Sequence, residues 1–168
     1  ELNLFFVYLI DFDFGRINVV AFFFVKEVVT YFFGKYDCLM ESIDLIKPGL
    51  PLGDIGNIIE EKANKNNFSV VKDFCGHGIG KNFHEPPSVL HYGSKGQGLK
   101  LKKGMIFTIE PMLNAGSSEV KVLSDGWTAV TKDKKLSAQF EHTVGITNDG
   151  YEVFTLSKKG LNFPPYKS

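Results

Sequence analysis

Two histidines and two glutamates stand in four short motifs whose residue types suit metal chemistry. His77 lies in Gly76-His77-Gly78-Ile79-Gly80, and His84 in Phe83-His84-Glu85-Pro86. Glu110 lies in Phe107-Thr108-Ile109-Glu110-Pro111, and Glu141 in Gln139-Phe140-Glu141-His142-Thr143. One imidazole and two carboxylates can hold a divalent ion, which leaves a second imidazole to act on a substrate. Each residue alone is a weak signal. A lone strand glutamate more often pairs with Lys or Arg, and a lone Gly-His-Gly is usually a turn.

Elements must bring these groups together. Strand residues alternate faces. Met105 to Glu110 reads as a strand stopped by Pro111, with Ile106, Thr108 and Glu110 on one face. Ala138 to Thr147 reads as another, with Gln139, Glu141 and Thr143 on one face. A glutamate among apolar strand neighbours is costly unless it is paired or ligates something. Two such strands beside a Gly-His-Gly loop would make a metal pocket. The glycines flanking His77 would allow close backbone approach and φ above zero.

The surrounding pattern is α+β. Leu39, Ile43 and Ile46 repeat as one face of an amphipathic helix ended by Pro48-Gly49. Ile55, Ile58, Ile59 and Ala63 give a second helical face. Phe68 to Lys72 reads as a strand, and Tyr92 to Gly98 as a flexible loop. Gly116 to Asp125 reads as a hairpin and loop before the strand Trp127 to Thr131. Asn148-Asp149-Gly150 turns the chain into a last strand, Tyr151 to Thr155. Two helices followed by largely antiparallel strands define the class. His91 and His142 read as satisfied surface or core histidines, Cys75 as a small buried residue, and Trp127 as core more often than site.

Composition excludes several classes. A chain of 168 residues suffices for one domain with a core. The formal net charge is zero, so neither nucleic acid nor an acidic membrane is an expected partner. Two cysteines, Cys38 and Cys75, allow at most one disulfide, which points to a reducing, intracellular compartment rather than secretion.

The first 36 residues hold 12 of the 23 aromatics. Their charge-free runs reach only nine residues, from Leu2 to Ile10 and from Ile17 to Val25, short of the roughly 20 a spanning helix needs. A secretory signal would carry basic residues in front, and this chain opens on Glu1. The leading reading of residues 1–35 is buried strands, ahead of non-native sequence and of a membrane anchor. The missing initiator Met fits a fragment.

Taken in order, the motifs resemble one family. Gly-His-Gly-Ile-Gly, Phe-His-Glu-Pro-Pro, Val-Leu-His-Tyr, Phe-Thr-Ile-Glu-Pro-Met, Asp-Gly-Trp-Thr and Ser-Ala-Gln-Phe-Glu-His-Thr are similar to the type I methionine aminopeptidases of bacteria and organelles. The likeness runs from about Tyr36 to about Leu156 and includes Ile46-Lys47-Pro48-Gly49 and Phe68-Ser69-Val70-Val71. It implies a pita-bread (creatinase/aminopeptidase-like) fold: a C-terminal half, residues 36–168, joined to an incomplete or atypical N-terminal half. It implies removal of the initiator methionine from nascent polypeptides, on or off the ribosome, in the cytoplasm or an organelle. It implies one or two divalent ions (Co, Mn, Fe or Zn). His77, Glu110 and Glu141 match metal ligands, Glu141 as the bridge. Glu110 matches the general base, and His84 the group that steadies the peptide oxygen. His77, His84 and Trp127 match substrate-contacting positions, with Trp127 lining the methionine pocket.

The departures are equally specific. The family supplies two aspartates and a histidine from its first half. Here all four histidines lie at 77 or later, and the only aspartates before residue 37 are Asp11 and Asp13. Neither has the family's sequence around it. A single weakly held ion on His77, Glu110 and Glu141 is therefore expected, with low peptidase activity. Exposed sheet edge and apolar surface should promote self-association. The competing readings are a non-catalytic pita-bread protein binding peptides or ribosomes, and a prolidase-like metallopeptidase.

Overall fold

The computed structural model describes residues 25–157, with side chains from residue 34 onward. Among the described residues, two helices precede ten short strands. Helix α1 spans Val25–Asp44 and buries Tyr36, Leu39 and Ile43, which recur at helical spacing. Helix α2 spans Leu52–Lys65. It buries Leu52, Ile55, Gly56, Ile59 and Ala63, carries Asp54 in its first turn, and carries Lys62 and Lys65 in its last. Those charges oppose the helix dipole at each end. A Lys62–Glu41 ion pair ties α2 to α1. Lys35, buried in α1, donates from Nζ to the carbonyl of Leu113 and lies over the Phe68 ring at 5.1 Å. Burial lowers its amine to about 6.

The strands are β1 (Ser69–Val70), β2 (Gly76–Gly78), β3 (Glu85–Val89), β4 (Ile106–Ile109) and β5 (Met112–Asn114). They continue as β6 (Val120–Val122), β7 (Ala129–Thr131), β8 (Ser137–Gln139), β9 (His142–Ile146) and β10 (Tyr151–Val153). A five-stranded sheet has the order β10-β9-β4-β2-β3, a three-stranded sheet the order β1-β5-β8, and β6 pairs with β7. Every pairing is antiparallel.

One feature of this topology positions the site. β4 pairs with β9 with Ile109 opposite His142, and β5 pairs with β8 with Met112 opposite Gln139. Both ladders keep the same register. The step between them therefore sets Glu110 opposite Glu141 and Pro111 opposite Phe140, where the chain passes from one sheet to the other. Pro111 has no N–H to give a ladder. Phe107, Ile109, Leu113, Phe140, Val144 and Ile146 join the helices in one core cluster. By the pleat, Thr108, Glu110, Gln139, Glu141 and Thr143 belong to the opposite face.

Several expectations change. Residues 25–36 are helical, not strands, and α1 runs across position 35; residues 1–24, with Asp11 and Asp13, lie outside the described residues. The expected strand Ala138–Thr147 is two strands in two sheets, because Phe140 and Glu141 face the step at Pro111. The Gly-His-Gly segment is strand β2, not a loop, and neither Gly76 nor Gly78 has a positive φ. Close approach is what requires glycine there: a Cβ at Gly76 would lie 2.3 Å from the carbonyl oxygen of Thr108. β3, which contains Pro86 and Pro87, was not anticipated. It is an edge strand, where proline is tolerated.

Candidate active site

β2 and β4 lie side by side, and a single hydroxyl joins them at the site. The amide of His77 donates to Thr108 Oγ1 at 2.9 Å, and that hydroxyl donates to Glu110 Oε1 at 2.7 Å. Thr108 is fully buried. It couples the placement of the His77 backbone to that of the Glu110 carboxylate. His77 Nδ1 lies 3.0 Å from the Gly78 carbonyl, and Nε2 lies 3.8 Å from Glu110 Oε1. An Nδ1–H bonded to that carbonyl leaves Nε2 with its lone pair toward the carboxylate.

Glu110 is held by more than Thr108. Gln139 Nε2 donates to its carbonyl oxygen at 3.1 Å and to its Oε2 at 3.2 Å. Its amide donates to Nε2 of His91 at 3.1 Å. Burial pushes the Glu110 carboxyl above its ordinary value, against the downward pull of Thr108, His77, His84 and Gln139. Glu141 is pushed up to about 7, by burial and then by the charge of Glu110. Among the described residues no Lys or Arg forms an ion pair with either carboxylate.

His84 is exposed at the mouth, with its ring centroid 4.2 Å from that of His77. Phe83, 64 % exposed, lies beside both rings. Trp127 is 74 % exposed in the turn between β6 and β7, where its amide donates to Asp125. That contact is local to the turn. His77, His84 and Glu110 are brought together, and Glu141 joins them by register and by its electrostatic coupling to Glu110. A cleft lined by Asp44, Leu50, Asp54, Glu61, Lys95 and Tyr151 shares none of these residues.

The donor set fits a divalent ion. Two part-buried carboxylates feel each other's charge, with the His77 imidazole beside Glu110, and a cation would relieve both the burial and the repulsion that raise Glu141. Among the described residues no group of three or more His, Cys, Asp or Glu side chains is arranged to hold a metal ion, so the fit rests on the chemistry of the donors and not on a formed cage.

The reading of single residues missed three side chains of the site: Thr108, His91 and Gln139. The alternation that placed Thr108 and Gln139 on the faces of Glu110 and Glu141 was a signal for two of them. His91 stands in the Val-Leu-His-Tyr motif, but spacing gave no sign of its role, since its contact spans 19 residues.

The chain is 58% identical over 133 residues to a methionine aminopeptidase of Rickettsia prowazekii, covering 78% of this chain and 51% of that protein. It is 50% identical over 122 residues to the methionine aminopeptidase of Escherichia coli K12, covering 73% and 46%. The crystal structure of methionine aminopeptidase from Thermotoga maritima superposes with a TM-score of 0.74 at 41% identity, covering 78% of this chain and 52% of that one. A dipeptidase from Mycobacterium ulcerans, at 19% identity and a TM-score of 0.57, shares the fold alone. The chain thus spans about half the length of the relatives it matches. Its α+β architecture is that of the pita-bread proteins over the matched region. Residues 35–148 match the model of metallopeptidase family M24, and the chain belongs to that family.

Proposed function

We propose that this chain carries the C-terminal share of a methionine aminopeptidase active site, acting on the N-termini of nascent polypeptides. The observation that carries the reading is the opposition of Glu110 and Glu141 across one continuous register, with His77 joined to Glu110 through Thr108. His77, Glu110 and Glu141 would hold a divalent ion, of the Mn, Fe, Co or Zn kind that imidazole and carboxylate donors accept. When bound, such an ion acidifies water and polarises a peptide carbonyl. Glu110, whose carboxyl burial raises above its ordinary value, would take a proton from the attacking water and pass it to the leaving amine. His84 would donate to the carbonyl oxygen of the scissile peptide as charge develops there. Trp127, exposed in the β6–β7 turn, would line the methionine side-chain pocket. Two free cysteines, Cys38 and Cys75, support a reducing compartment, cytoplasmic or organellar.

The likeness to methionine aminopeptidases, at 50% identity and above, favours this reading over prolidase. A purely binding protein would have no chemical need for all four of His77, His84, Glu110 and Glu141. The test is a panel of Met-Xaa and Xaa-Pro peptides, incubated with the chain and added Mn or Co. Release of methionine is expected, far slower than by a full-length relative, and lost in Glu110→Gln and Glu141→Gln. Cleavage of Xaa-Pro alone, or methionine release that persists in both variants, would overturn it.

A further inference from the structure

Glu110 stands where the ladder is interrupted, so its backbone groups have no strand partner. Side chains take their place. Gln139 donates to its carbonyl oxygen and His91 accepts from its amide, at 3.1 Å each. His91 is fully buried. An imidazole nitrogen that accepts a hydrogen bond carries no proton, so the geometry itself makes the ring the neutral form. A neutral ring that accepts at Nε2 carries its proton on Nδ1. The Nε2 lone pair is engaged by Glu110 and is not open to a cation.

The segment that holds His91 is itself supported. A Cβ at Gly56 of α2 would lie 2.4 Å from the carbonyl oxygen of Tyr92, so the helix sits directly against that segment. Lys72 lies over the Tyr92 ring at 4.9 Å and pairs with Glu60 of α2 at 3.1 Å. A rigid support of this kind lets one side chain set the position of a distant backbone.

We propose that His91 is a positioning residue of the candidate metal site: its neutral imidazole accepts the Glu110 amide and fixes that residue's backbone, while Gln139 clamps the carbonyl side. The inference rests on the reading of His77, Glu110 and Glu141 as metal ligands. It assigns His91 no direct contact with metal or substrate.

The test compares wild type, His91→Gln and His91→Leu as full chains. Co(II) is titrated into each while its absorption spectrum is recorded, and hydrogen exchange of the Glu110 amide is followed by NMR without metal. The glutamine keeps an acceptor near the place of Nε2, and the leucine does not. We expect His91→Leu to weaken Co(II) binding about tenfold and to speed exchange at Glu110. His91→Gln should restore most of both, even where urea unfolding shows the two variants equally destabilised. Wild-type affinity in His91→Leu, or Co(II) binding in His91→Gln as poor as in His91→Leu, refutes the proposal. If wild type binds no Co(II), the metal reading fails by itself, and exchange decides the role of His91. Rapid exchange at Glu110 in wild type, or slow exchange kept in His91→Leu, then overturns it, and loss of protection in His91→Leu alone upholds it.

Discussion

Glu141 is the side chain whose state depends most on what shares the site. Burial and the neighbouring Glu110 raise its carboxyl from 4.5 to about 7. A carboxyl raised by folding is favourable while protonated. Its contribution is full below the ordinary value and is lost as pH climbs from about 4.5 to about 7. His91 and His142 are lowered by burial and act in the opposite sense with rising pH, so wild type alone mixes the two. The difference between wild type and Glu141→Gln isolates the carboxylate. In EDTA the variant should be the more stable chain near pH 7, and the gap should close toward pH 4.5. Urea midpoints at the two pH values measure this, and a gap that widens in acid would contradict it. Thr108 offers a second test. Thr108→Val keeps the shape but leaves the buried His77 amide without its acceptor, at a cost of about 1–3 kcal/mol. Divalent binding should fall with it, because Glu110 Oε1 loses its donor.

At the scale of elements, the close approach of β2 to β4 sets the distance between imidazole and carboxylate. Gly76→Ala would drive a methyl group into the Thr108 carbonyl and separate the strands. About 1–3 kcal/mol of destabilisation is expected in urea unfolding. Gly150→Ala is the control, since a Cβ there meets nothing nearer than 3.9 Å. Much of this arrangement was legible in the sequence. The α2 face and the sides of β4 and β8–β9 follow from spacing alone, because burial imposes a period of 3.6 or 2. Tyr36, Leu39 and Ile43 also lie at helical spacing, yet the β-branched and aromatic residues before them suggested strands. Propensity is a weak prior that packing overrides. The break at Glu110-Pro111 and Phe140-Glu141 was hidden, since it exists only in the pairing of two segments far apart in sequence. β3 was hidden by its own prolines, which an edge strand can bear.

For the whole molecule, the balance of covered and uncovered surface matters most. Trp127 and Phe83 are largely exposed, and Phe154 is half exposed. Among the described residues, β3 and β10 each form an outer edge of the five-stranded sheet. Exposed aromatic side chains and open edges invite association. Sedimentation velocity should show a weight-average mass that rises with protein concentration and falls in low urea before unfolding begins. A monomer at all concentrations would show that these surfaces are self-limiting. The four motif residues were legible because their chemistry is unusual for their surroundings. His91 was not, because its role depends on a tertiary contact rather than on its neighbours in sequence.

The common register of β4–β5 and β8–β9 also bears on how the chain finds its fold. Like charges set directly opposite one another disfavour a pairing, and a slip of one residue turns every side chain to the other face. Without a cation, the correct alignment is therefore the one that opposes Glu110 to Glu141, and misaligned ladders compete with it. If Glu110 and Glu141 hold a divalent ion as proposed, an ion present during refolding would reward only the correct alignment and act as a template for it. Recovery of native chain after dilution from urea should rise when Mn is present from the start, and adding Mn after misaligned chains have aggregated should rescue little.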